Sequence, residues 1–183
     1  MHPNHKDFTL KHTGGCLCGQ YKFETELDPM LIIQCNCSKC RKLSGSYQIG
    51  CLYSEDEIQE SGETEVYEFA GGSGFINTVH FCTNCHVRCK THPAKEVMEG
   101  MVGIPLGIFD TAKSLSPKAE IWTAEKLPFL KTDDCIAESF EDAQWMMVNV
   151  LDEEDINSIL DEARRADKEG YARGTTENPK RKD

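Results

Sequence analysis

Seven of the ten cysteines fall into three tight groups, and this grouping constrains the chain more than any other feature. Cys16 and Cys18 stand two apart. Cys35, Cys37 and Cys40 fall within six residues, and Cys82 and Cys85 form a C-x-x-C pair. Cys51, Cys89 and Cys135 stand outside the pattern. What such groups mean depends on the redox compartment. The segment Met1 to Gly15 carries His2, His5, Lys6 and His12 but no apolar run of the kind a secretory signal needs. No window is apolar for long enough to span a bilayer, so no membrane association is expected. The expectation is an intracellular protein, cytoplasmic or nuclear. Disulfides are rare there, and grouped cysteines point to metal or redox chemistry.

Zinc at structural sites takes four tetrahedral ligands, and thiolates supplied in pairs are its usual donors. Seven clustered thiols divide most simply into four and three. A closed site takes Cys16 and Cys18 from one hairpin and Cys82 and Cys85 from another. By tying distant segments together it contributes roughly 10 kcal/mol or more of folding free energy. Cys35, Cys37 and Cys40 leave a fourth position free, which is what separates catalytic from structural zinc. The competing reading closes that site with Cys51, Cys89, His80, His86 or Asp56. Three thiolates on a divalent ion leave a net negative charge, hence a weak Lewis acid suited to a soft fourth ligand such as a thiolate. Lys39, Arg41 and Lys42 stand beside the triplet. They either offset its charge and attract an anionic thiol such as glutathione, or form an ordinary solvated loop, the plainer reading. Cys51 and Cys135 read as small buried hydrophobes. The N-terminal histidines read as exposed polar residues, and Trp145-Met146-Met147 as helix packing.

Short alternating segments separated by turns make up the body. Gln20 to Leu27, Met30 to Gln34, Ser46 to Tyr53, Thr64 to Phe69, Phe75 to Phe81, Val97 to Ile104 and Glu120 to Thr123 read as strands. Gly71 to Gly74 makes a turn, and Pro105, Pro117 and Pro128 punctuate the rest. This spacing predicts an all-β sandwich or barrel rather than alternating βα units. After Pro128 the pattern becomes helical. Ser139 is placed to cap a helix with Asp142 three residues on, and Phe140, Ala143, Met147, Val148 and Leu151 follow helical spacing. A second helix starts near Asp152 or Asp155, with Ile156, Ile159, Leu160 and Ala163 as its apolar stripe. The expected organisation is a flexible N-terminus over 1–13, a zinc-binding domain over 14–130, an acidic helical extension over 131–170 and a disordered tail over 171–183.

The net charge of −11 excludes a general nucleic-acid binder. Residues 131–169 carry 13 acidic and four basic side chains, leaving 18 acidic and 16 basic elsewhere. The acidity therefore belongs to the extension, and the cysteine-bearing body is near neutral.

Gly15-Cys16-Leu17-Cys18-Gly19, Cys35-Asn36-Cys37-Ser38-Lys39-Cys40-Arg41 and Phe81-Cys82-Thr83-Asn84-Cys85 occur here in a family-specific order. The chain resembles the glutathione-dependent formaldehyde-activating enzyme family, which includes centromere protein V and has an Mss4-like fold. The likeness runs from about Gly14 to Leu130 and takes in Pro117 and Trp122. It implies packed antiparallel sheets, a structural zinc on Cys16, Cys18, Cys82 and Cys85, and a second zinc on Cys35, Cys37 and Cys40 with a catalytic role. It also implies a carbon–sulfur lyase activity joining formaldehyde and glutathione. This chain has Asn36 where the family commonly has His, and His86 where it commonly has Gly. Function classes kept open are an enzyme acting on a small-molecule thiol or aldehyde adduct, a non-enzymatic zinc scaffold with a protein-binding helical extension, and an enzyme dehydrating or isomerising a specialised metabolite. The extension is left three roles: capping the sheet, joining a homodimer, or bordering the open site.

Overall fold

The structure, a computed structural model, describes residues 12–71 and 74–143. Its strands are short, none longer than seven residues among those described. Three of them, β1 (His12–Gly15), β2 (Lys22–Thr25) and β5 (Gln59–Ser61), form an antiparallel sheet in the order β1-β2-β5. The other sheet contains β3 (Leu31–Cys35), β4 (Gln48–Ser54), β6 (Thr64–Ala70), β7 (Ile76–Cys82), β8 (Arg88–His92), β9 (Met101–Pro105), β10 (Ala119–Ile121) and β11 (Glu138–Ser139). Their order is β11-β10-β3-β4-β9-β8-β7-β6. The fold is mainly β, as the alternation implies. β10 departs from the antiparallel expectation and pairs in parallel with both β3 and β11.

Period-two alternation sends one face of each strand into the core. On β4, Cys51 and Tyr53 point inward opposite Ile104 and Val102 of β9. Phe109 lies between the sheets, edge-on to Phe23 of β2 at 4.8 Å and stacked with Tyr53 at 6.4 Å. Such aromatic contacts add about 0.5–1.5 kcal/mol each beyond area burial. Close approach here requires a glycine. A Cβ on Gly14 would lie 2.1 Å from the Ile108 carbonyl oxygen and 2.5 Å from the Phe23 ring.

Several local readings are corrected. Val97 to Ile104 is not one strand. Its first residues end a short helix, Lys95–Met98, and the strand starts only at Met101, after Gly100 turns the chain with φ +74°. His12 is buried rather than exposed, because β1 begins on its inward face. Its ring bonds Thr111 Oγ1 at 2.7 Å and Asp28 Oδ1 at 2.8 Å. The ordered body thus includes His12 and Thr13, before the boundary read from the sequence. The extension is not helical where it begins. Ser139 does not cap a helix; it sits in β11, and its hydroxyl donates to Glu120 Oε1 at 2.9 Å. Cys135 is half-buried in a turn, not a helix. Within the extension, Glu138–Ser139 add β11 to the edge of the large sheet beside β10. The second helix, the tail and Trp145-Met146-Met147 lie outside the described residues. Among the described residues no helix is long and apolar enough to cross a membrane.

Candidate metal centres

Two turns, one at the start of the domain and one near its middle, build the four-cysteine cluster. Cys16 follows β1, Cys18 lies in the turn to β2, Cys82 ends β7, and Cys85 lies in the turn to β8. Both turns close on a left-handed residue: Gly19 at φ +77°, with its amide on the Cys16 carbonyl, and His86 at φ +56°, with its amide on the Cys82 carbonyl. The Cys16 and Cys18 sulfurs lie 3.5 Å apart, and those of Cys18 and Cys82 3.6 Å. All four fall within 4.8 Å of one another. A tetrahedral zinc with bonds near 2.3 Å separates its sulfurs by about 3.8 Å, so the donor set fits that ion. Burial pushes the Cys16 thiol up. The Tyr21 amide, donating to Sγ at 3.2 Å, together with the neighbouring thiols outweighs it and brings the pKa down to about 6. Cys85 is likewise lowered, by the Val87 amide foremost; at Cys82 the Cys85 amide lowers the thiol, but burial and the bonds to the Cys16 and Cys85 sulfurs outweigh it and raise it to about 11. Four thiols this close do not ionise together without a cation among them.

The triplet forms where β3 gives way to helix α1 (Ser38–Ser44). Cys35 is the last strand residue, Cys37 caps the helix by accepting the Cys40 amide at 3.4 Å, and Cys40 lies in its first turn. Their sulfurs also lie within 4.8 Å of one another. Among the described residues no fourth His, Cys, Asp or Glu atom joins them. Cys51, Cys89, His80, His86 and Asp56 all lie outside the cluster. Hydrogen bonds from Cys35 and Cys40 hold the Cys37 thiol down near 3. Bonds with Cys37 and Cys40 push Cys35 well above its usual value; at Cys40 the bond with Cys35 lowers the thiol, but the bond with Cys37 and burial outweigh it and take it to about 12. Three thiols this close do not ionise together without a cation among them, and a soft divalent ion would ionise all three.

The cation facing the triplet is one the sequence reading missed. Arg88 opens β8, hydrogen-bonds the Cys40 thiol, and feels the charge of all three sulfurs; burial draws its pKa down against them. Its Nη1 donates to Gln48 Oε1 at 2.8 Å and its Nε to Thr91 Oγ1 at 3.1 Å. Gln48 in turn pairs with Cys35 across β3 and β4. Lys39, Arg41 and Lys42 lie on α1 rather than in a loop, and Lys39 is buried.

Behind the triplet lies a buried polar network. Asn36 Nδ2 donates to the Ile121 carbonyl at 3.1 Å and reaches Glu120 Oε2 at 3.5 Å, while Gln34 Nε2 donates to Asn36 Oδ1 at 3.1 Å. Glu120 is 1% exposed and also accepts from Lys126 Nζ at 2.7 Å, Thr132 Oγ1 at 2.6 Å and Ser139 Oγ at 2.9 Å. Burial raises its carboxyl, but these donors, Lys126 first, hold it below the usual carboxylate range. Glu125 accepts the Ser38 amide at 2.7 Å, reached through a left-handed Trp122 at φ +59°.

Residues 11–125 match the profile described as glutathione-dependent formaldehyde-activating enzyme. The chain belongs to that family. No curated protein is significantly similar to it. Among solved structures, a Rhodobacter sphaeroides protein shares 16% identity over 70% of this chain and 98% of its own, with a TM-score of 0.41.

Both departures from the formaldehyde-activating pattern now have a physical setting. Asn36 cannot exchange a proton as His does, and here its amide serves the Glu120 network. His86 does occupy the left-handed turn that favours Gly. Its Nδ1 pairs with Glu65 at 2.9 Å, but both side chains are exposed and such a pair is worth little. His86→Gly is therefore expected to stabilise the protein by about 0.5–1 kcal/mol, read as a raised denaturant midpoint at unchanged slope. A fall in midpoint would show that the Glu65 contact outweighs the backbone strain.

Proposed function

We propose that this protein is a zinc-dependent enzyme of the carbon–sulfur lyase type, making or breaking a thiol–carbonyl adduct at Cys35, Cys37 and Cys40. The observation that supports it most is the incomplete donor set: three clustered thiols with no fourth ligand among the described residues. When bound, zinc supplies an electrophilic centre with one position for a substrate sulfur or carbonyl oxygen. Addition forms one C–S bond and moves the thiol proton to the carbonyl oxygen; the reverse releases both partners. Glutathione, from the family's name, is the first thiol to test.

The chain's own groups prepare this chemistry. The Cys40 amide directed at Cys37 favours its thiolate, and Arg88 offsets the negative charge that three thiolates leave. Gln48 and Thr91 fix the guanidinium so that it meets Cys40 from one side. The Glu120 network holds Asn36, and with it the backbone between two ligands.

Cys37→Ser removes one donor from the triplet but none from the four-cysteine cluster. Thiol-dependent loss of an added aldehyde is expected to fall to background, with a melting temperature close to that of the parent. Unfolding of Cys37→Ser would show the triplet to be structural. Turnover retained at parental rate would place the chemistry elsewhere.

A further inference from the structure

The backbone around Cys37 is held from outside the triplet by one short segment. Ile121 ends β10, and its carbonyl accepts the Asn36 backbone amide at 3.0 Å. Four residues on, Glu125 Oε2 accepts the Ser38 amide at 2.7 Å. Asn36 and Ser38 flank Cys37 in sequence, so the middle ligand of the triplet is braced on both sides.

The second bond supplies something that α1 lacks. A helix leaves its first amides without intrahelical acceptors. The Cys37 sulfur takes the Cys40 amide at 3.4 Å, and α1 has no acidic residue in its own first turn. Glu125 brings that carboxylate from 87 residues further along the chain, to the helix end where the dipole favours it. Trp122 makes the approach possible. Its φ of +59° is a left-handed conformation that a bulky residue keeps only where its surroundings impose it. The chain then enters the short helical turn Thr123–Glu125. The Thr123 amide and hydroxyl both donate to the Phe140 carbonyl, each at 3.1 Å, which anchors the segment against the extension. Glu125 differs from Glu120 in what its loss would leave behind. It is half-buried and its partner is a neutral amide, so removing it strands no buried cation as removal of Glu120 strands Lys126. The effect should fall on the triplet and not on the fold.

We infer that Glu125 is a positioning residue for the open site: its carboxylate fixes Ser38 and so holds the Cys37 and Cys40 sulfurs at ligand spacing. The inference rests on the reading of the triplet as a zinc site and names the residue that sets the strength of metal binding there. Partners that orient metal ligands in this way are typically worth about 10–100-fold in metal affinity.

Transfer of zinc from the full-length protein to a chromogenic chelator, followed as chelator is added, resolves the two sites as separate phases. The triplet phase is the one missing from Cys37→Ser. Glu125→Ala is expected to weaken that phase about 10–100-fold and leave the four-cysteine phase at its parental position. Glu125→Gln keeps an oxygen that accepts the Ser38 amide, so its triplet phase should stay close to the parent's. Glu125→Asp keeps the charge on a side chain one methylene shorter. It should behave as Glu125→Ala does, and it carries the test if Glu125→Ala does not fold. Parental affinity in both Glu125→Ala and Glu125→Asp would overturn the inference and leave the open site standing. An equal loss in Glu125→Gln would also overturn it, by tracing the effect to the charge and not to the hydrogen bond. So would a loss shared by both phases, the mark of general destabilisation. A parent that releases zinc in the same single phase as Cys37→Ser would overturn the open site itself, and this inference with it.

Discussion

Cys16→Ser is expected to leave the protein without a cooperative thermal transition and with the far-ultraviolet spectrum of an unfolded chain. Cys16 is 7% exposed and lies where β1 of the small sheet turns back toward β2; its sulfur touches that of Cys18, which touches that of Cys82 at the end of β7 of the large sheet. The cluster spans more than sixty residues of chain, from Cys16 to Cys85, so it links parts of the domain that short-range pairing does not. A bound structural zinc contributes roughly 10 kcal/mol, comparable with the entire 5–15 kcal/mol stability of an ordinary domain. Serine supplies an oxygen in place of a thiolate and leaves three clustered sulfurs around an incomplete site. Circular dichroism on heating, beside Cys37→Ser as a control, distinguishes the two clusters. A Cys16→Ser protein that melts cooperatively within a few degrees of the parent would show that packing alone holds the two sheets.

Replacing Glu120 has the next largest expected effect. Glu120→Ala should cost about 3–5 kcal/mol, the usual price of leaving one partner of a buried charge pair alone. The Lys126 ammonium, whose side chain is 11% exposed, would lose its carboxylate, and Thr132 and Ser139 their acceptor. The loss also reaches the triplet, because Asn36 and Gln34 share that carboxylate. The pH dependence has a defined sign. The folded-state pKa of Glu120 is depressed, so its stabilisation is fully present above the ordinary carboxylate value, near 4.3, and is lost as pH falls through the lower folded value. The stability gap between the parent and Glu120→Gln should therefore narrow only below about pH 4. Denaturant titrations at neutral pH and at a series of acid pH values measure both effects. A gap that is small at neutral pH, or unchanged through the acid range, would contradict the role given to this carboxylate.

The parts legible in the sequence are those with local causes. Alternation in Gln20 to Leu27 and Ser46 to Tyr53 announced strands because one face of each is buried, and the cysteine groups were legible because ligand pairs sit in short turns. Long-range features were not. Arg88 follows Cys85 by three residues and reads as part of the other cluster; β-sheet register brings it to Gln48 and Cys40. Nothing near Glu120 in sequence shows that Asn36 will share its carboxylate, since that contact depends on the parallel pairing of β10 with β3. Ser139 carried a genuine capping signal. Pairing with β10 and a hydrogen bond to Glu120 prevailed over it, as tertiary contacts often do over local propensity. His12 reads as surface because its neighbours are polar, yet Asp28 and Thr111 satisfy its ring inside the body.

The most direct test of the central claim, one closed and one open zinc site, is elemental analysis of parent and Cys37→Ser protein purified without added metal or chelator. The parent should carry about two zinc ions per chain and Cys37→Ser about one, with the fold intact in both. A parent with one ion that Cys37→Ser does not reduce would mean the triplet holds no zinc, and a parent with none would contradict both sites.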